Sequence, residues 1–97
     1  MNYITLPTKY IGAADAAFRV TGNSLEPIYA DGDYLLVRRG SPLKHGDLGV
    51  FIVDGKTRAL RLYSKGGRQR LVPLNVDYPE VDVTPKTRCV GKVVGRA

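Results

Sequence analysis

The chain has no tryptophan, one methionine, one cysteine and one histidine among its 97 residues. A lone cysteine, Cys89, excludes an internal disulfide and the stapled secreted folds that depend on one. A reducing compartment, the cytoplasm, is the expected location. A lone histidine, His45, excludes a multi-histidine metal cluster or proton relay. Neither a metal nor a cofactor is expected. No 18 apolar residues run together, so a membrane-spanning helix is excluded and no membrane partner is expected. The first residues also lack the basic-then-apolar layout of a signal peptide.

What is present is ordinary for a globular chain: 43% hydrophobic and 25% charged residues. The length allows one domain and one core. The net charge of +6 is uneven, because residues 1–55 carry five basic and six acidic side chains (−1) and residues 56–97 carry ten and three (+7). Such asymmetry fits a nucleic-acid surface through residues 56–70. The simpler reading is that Arg58, Arg61, Lys65, Arg68 and Arg70 are solvated faces and turns of a hairpin, since aromatic platforms are scarce there.

Strand signals dominate. Ala17–Thr21 alternates, and Tyr34–Arg39 and Leu48–Val53 are apolar runs of strand length bounded by turn residues. Arg58–Tyr63, Gln69–Pro73 and Cys89–Val94 continue the series. Asp54-Gly55 is the strongest hairpin signal, and Asp31-Gly32-Asp33, His45-Gly46-Asp47 and Gly66-Gly67 mark further turns. The fold class is therefore all-β: a small, partly open barrel or packed curved sheets. Helix is confined to single turns over Gly12–Ala17 and Leu25–Ala30. Residues 1–16 read as an extended lead-in and residues 17–97 as the domain. A β domain that begins so promptly is expected to be part of a longer protein.

Ser24 sits in a Gly-Asn-Ser turn before Glu26-Pro27, where Asn and Ser ordinarily bond neighbouring backbone groups. A nucleophilic serine needs a base within hydrogen-bond reach. With one histidine in the chain, the candidates are His45 or a desolvated lysine, and His45 lies in an exposed-looking turn.

The stretch Phe18–Asp33 (FRVTGNSLEPIYADGD) resembles the signature of the LexA-like self-cleaving serine–lysine peptidases, which include LexA, UmuD and lambda-type phage repressors. Gly22, Asn23, Ser24 and Gly32-Asp33 match, with Leu25 where methionine is usual. The likeness extends through Tyr34–Arg39, His45-Gly46-Asp47, Leu48–Val53, Leu71–Tyr78 (LVPLNVDY) and Val90–Gly95 (VGKVVG), covering residues 17–95. It implies the LexA C-terminal, signal-peptidase-like fold, with Ser24 as nucleophile and the Ser24 and Leu25 amides as oxyanion hole. A buried neutral lysine would serve as base. That lysine normally stands in an apolar-Lys-[Lys/Arg]-Leu pattern, which aligns with Ala59-Leu60-Arg61-Leu62. Leu60 therefore occupies the base position.

No neighbour replaces it. Arg61 faces the other side of the strand, and neither Arg58 nor Arg61 can give up a proton. Lys56 lies four residues before Leu60, about 13 Å along a strand. Lys65 falls in a solvated turn. A bulge would bring Ala59 or Arg61 to the position, and neither is a base. The family's cleaved bond is often Ala-Gly, and only Ile11-Gly12-Ala13-Ala14 is similar here; it reads as the start of the domain.

The resemblance thus implies the regulatory and dimerisation domain of a LexA/phage-repressor-like transcriptional regulator, defective in self-cleavage. It would be a homodimer with Leu71, Leu74, Val90, Val93 and Val94 at the interface. DNA would be read by an N-terminal helix-turn-helix domain outside this chain, and an antirepressor or inducer protein would release it. The competing expectations are an active self-peptidase with an unusual base, and a small basic β-barrel that binds nucleic acid.

Overall fold

The computed structural model describes residues 3–5 and 14–96, and every regular element among them is a strand. In chain order these are β1 (Tyr3–Thr5), β2 (Ala16–Arg19), β3 (Tyr34–Arg39), β4 (Leu48–Val53), β5 (Lys56–Lys65), β6 (Arg68–Val72), β7 (Val81–Asp82) and β8 (Arg88–Arg96). They form one antiparallel sheet in the order β1-β2-β3-β8-β4-β5-β6-β7. The edges β1 and β7 do not pair with each other among the described residues, so the sheet stays open. The all-β expectation holds.

Turn chemistry explains the hairpins. Asp54 and Gly55 both have positive φ, 50° and 77°, and join Val53 to its partner Lys56. Those angles make the primed turn whose twist matches paired strands. Gly66 and Gly67, at 57° and 78°, do the same between Lys65 and Arg68. β5 therefore runs from turn to turn and is longer than its apolar centre.

Side chains alternate along β5, and this divides the core. Ala59 joins Phe18, Val20, Leu25, Leu35, Val37 and Val50 in one cluster. Leu60 and Leu62 join Phe51 and Leu71 in a second. β8 crosses the middle, between β3 and β4, where Gly91 pairs with both Arg39 and Val50. A Cβ on Gly91 would lie 2.4 Å from the Arg38 carbonyl oxygen, so only glycine permits this approach.

One local reading changes. Ala16 and Ala17 are strand rather than helical turn, because pairing with Val37 and Leu36 buries both, at 0% and 2% exposure. Burial in a sheet overrides the weak turn preference of an alanine pair. Tyr3–Thr5 of the lead-in is a strand, antiparallel to β2. Residues 11–13 of the Ala-Gly-like stretch lie outside the described residues, and Ala14 is fully buried. Leu25–Ala30 is the expected turn, with the Ile28 and Tyr29 amides both donating to the Leu25 carbonyl at 3.0 Å.

Candidate functional site

Ser24 lies in the loop between β2 and β3. The loop's base is closed by two backbone bonds of 2.8 Å, Val20 N–H to Asp33 O and Gly32 N–H to Val20 O. Gly22, at φ 76°, donates its amide to Asp31 Oδ1 at 2.8 Å. Leu25, 2% exposed, anchors the turn in the first cluster while Ser24 beside it stays half-buried. The loop is thus fixed on both sides of the serine.

A second segment clamps it. The Asn75 amide donates to the Ser24 carbonyl at 3.0 Å, and Asn75 Nδ2 donates to the Asn23 carbonyl at 2.8 Å. The Tyr78 hydroxyl donates to Asn23 Oδ1. Asn75 is itself shaped by a local turn, in which its Oδ1 accepts the Asp77 amide at 2.9 Å and its carbonyl accepts the Tyr78 amide at 3.1 Å. Asn75 and Tyr78 are structural members of the site that residue chemistry alone does not single out. Their signal is the Asn-x-x-Tyr spacing in LVPLNVDY, found together with the serine turn.

Ser24 opens on a cleft with two parts. The inner part, about 50 Å³, has Ser24 and Leu25 on one wall and Thr57, Arg58 and Ala59 of β5 on the other. The outer part, about 470 Å³, adds Asn23, Tyr78 and Lys56. Among the described residues neither the Ser24 nor the Leu25 amide donates to a protein acceptor.

Ser24, in its Gly-Asn-Ser turn, thus faces residues 57–59 of β5 across the inner cleft. A family model described as Peptidase S24-like matches residues 1–94. The chain belongs to that family. Its relatives include the LexA repressor of Thermotoga petrophila, 33% identical over 98 residues, covering 97% of this chain and 50% of that protein. The LexA repressor of Syntrophomonas wolfei is 29% identical over 96 residues, with 97% and 47% covered. That of Acetivibrio thermocellus is 33% identical over 78 residues, with 79% and 37% covered. The chain spans half or less of the length of these relatives.

Among the described residues, the inner wall facing Ser24 carries no side chain that acts as a base near neutral pH. The inner cleft is lined by Thr57, Arg58 and Ala59 of β5, with no lysine, histidine or carboxylate. Leu60, next along, is 1% exposed and packs with Phe51, Leu62 and Leu71. His45 stands elsewhere, its ring 5.3 Å from that of Tyr63. Lys65 is at the far turn of β5. Lys56 is the one lysine on the cleft, at its outer rim and exposed to solvent. Distance along the strand from Leu60 sets it aside, but the Ser24 turn lies over the Lys56 end of β5.

The residues expected at a dimer interface fall in three environments. Leu71 is fully buried inside the protomer, so a partner cannot touch it without opening the second cluster. Leu74, Val90 and Val93 are half-buried against the first cluster, and Val94 is 39% exposed. Cys89 is exposed, with burial of part of its side chain pushing the thiol's pKa up. Two carboxylates elsewhere lie below their ordinary range. Asp15 is lowered first by the Arg39 amide at 3.0 Å and further by the Arg39 guanidinium. Asp47 is lowered first by the Lys44 amide at 2.8 Å, with Lys92 adding to it.

Proposed function

We propose that this chain is the regulatory and dimerisation domain of a LexA/phage-repressor-like transcriptional regulator that has lost self-cleavage. One observation carries the reading. The serine turn is held by its Asn75–Tyr78 clamp, whereas the inner cleft beside Ser24 is lined by no lysine, histidine or carboxylate. In a serine protease, removal of one member of the nucleophile–base unit costs about a million-fold in turnover. A repressor of this kind is a homodimer that reads DNA through an N-terminal helix-turn-helix domain, and an antirepressor or inducer protein takes over the release step.

The test uses the full-length parent protein at neutral and alkaline pH, beside Leu60→Lys and Leu60→Lys/Ser24→Ala. The expected result is an intact parent and Ser24-dependent cutting in the lysine variant. Self-cutting by the parent would overturn the reading.

A second reading has an observation in its favour: Lys56 lines the same cleft as Ser24. In it the domain is an active self-peptidase with Lys56 as base. A lysine base works by being desolvated, and Lys56 is exposed, so the first reading is preferred. Loss of parental cutting in Lys56→Ala, with the fold intact, would reverse that preference.

A further inference from the structure

A depression of about 530 Å³ lies on the β5–β6 hairpin, lined by His45, Tyr63, Lys65, Arg68 and Arg70. It shares no lining residue with the Ser24 cleft. Tyr63 pairs with Arg70, and Lys65 with Arg68, so four of its five residues project from one face of the hairpin. His45 arrives from the turn before β4, its Nδ1 accepting the Ser64 amide at 3.0 Å and its ring tilted 36° to that of Tyr63. That bond puts the proton of the neutral ring on Nε2. The lining therefore presents an imidazole N–H, a phenol O–H, an ammonium and two guanidiniums, and no carboxylate.

Two features are hard to explain by folding alone. Lys65 and Arg68 are directly opposed across the strands, and like charges in that position destabilise a sheet. Neither makes an ion pair among the described residues; only Arg70 is answered, by Glu80 at 3.0 and 3.1 Å. A surface made of donors needs a ligand made of acceptors.

We infer that this hairpin face is a binding site for the phosphate backbone of nucleic acid. Phosphodiesters supply successive anionic oxygens to Lys65 and Arg68, and a sugar or base finds the His45–Tyr63 ring pair beside them. An acidic peptide would match the charge but make no use of the rings. The +7 carried by residues 56–97 draws a polyanion to this half of the molecule. The site lies on the regulatory domain itself and is independent of any DNA-reading domain elsewhere, and of whether Ser24 is active.

The test is fluorescence anisotropy of labelled mixed-sequence 20-mers, duplex and single-stranded, titrated with the 97-residue chain from 50 to 200 mM salt. Wild type is compared with Lys65→Gln/Arg68→Gln, and with Arg19→Gln/Lys86→Gln as a control of equal charge change at exposed positions outside the β5–β6 hairpin. Weak binding to any sequence is expected. The hairpin variant should flatten the log–log salt slope on duplex by about 1.8, since each phosphate left without its cation lowers that slope by about 0.9. The control should move it far less. Three results would overturn the site: no binding at 50 mM salt, an equal loss in the control, or displacement of DNA by polyglutamate as effectively as by unlabelled DNA.

Discussion

Placing a lysine at residue 60 buries an ammonium in the second core cluster. Leu60 is 1% exposed, with Phe51, Leu62 and Leu71 around it. Full burial lowers a lysine's pKa by up to about 3–5 units from about 10.4, and each unit is worth about 1.36 kcal/mol. Leu60→Lys should therefore cost about 4–5 kcal/mol near pH 7 and up to about 7 below the folded pKa, a large part of the roughly 5–15 kcal/mol that holds a domain together. The volume-conserving Leu60→Met should cost less than about 1.5 kcal/mol. Between the lowered folded pKa and about 10.4 the unfolded chain binds the extra proton, so stability rises with pH across that window. The penalty is complete below the folded pKa and gone above about 10.4. Urea titrations of both variants at pH 6, 8 and 10 read it directly, and the difference between them removes titrations common to both. With a slope of about 1–3 kcal/mol per molar, the midpoints should differ by about 2–4 M at pH 6 and converge by pH 10. A small, pH-independent difference would refute the reasoning, because it would mean that the new side chain reaches solvent. Cutting by Leu60→Lys should follow the same window and strengthen towards alkaline pH.

Three further outcomes follow from single interactions. Asn75→Ala removes the bond to the Asn23 carbonyl and the acceptor for the Asp77 amide, at about 0.5–1.5 kcal/mol each, so the melting temperature should fall by about 5–15 °C; an unchanged melt would show that the clamp does not hold the turn. Gly91→Ala forces a Cβ to 2.4 Å from the Arg38 carbonyl oxygen, which is backbone and cannot rotate away. A loss of at least about 1–3 kcal/mol in chemical denaturation is expected, and a neutral result would mean that β3 and β8 are further apart. Asp15 and Asp47 have lowered folded pKa values, so their contribution is present above the unfolded value of about 3.9 and fades as pH falls through the folded one. Asp15→Asn/Asp47→Asn should therefore narrow the gap between urea midpoints at pH 6 and pH 2.5, and an undiminished gap would assign acid sensitivity to other groups.

Strands that are fixed by their own residues are legible in the sequence. Tyr34–Arg39 and Leu48–Val53 have the bounds that their apolar runs and flanking turns predict, and Asp54-Gly55 makes the hairpin its dipeptide predicts. Tyr3–Thr5 and Val81–Asp82 are not legible, being three and two residues long and strand only by virtue of a neighbour. The site divides in the same way. Ser24 and its turn are contiguous and can be read from FRVTGNSLEPIYADGD. The bond from Asn75 spans 52 residues and joins a side chain to a backbone carbonyl, a pairing with no periodicity to betray it. Lys56 escapes the sequence reading because strand arithmetic from Leu60 fixes a distance along β5, not the point at which a separate loop descends on it.

The way this turn is held separates the fold from the chemistry. Its bonds run through the Gly22 amide, the Asn23 carbonyl and side-chain amide oxygen, and the Ser24 carbonyl, while the Ser24 hydroxyl has no hydrogen-bond partner among the described residues. The serine turn therefore keeps its shape whether or not a base stands opposite. Conversely, a leucine at position 60 adds apolar burial to the second cluster where a lysine would bring a desolvation penalty. A leucine at this position is thus favoured by its own surroundings, independently of the hydrogen bonds that hold the turn.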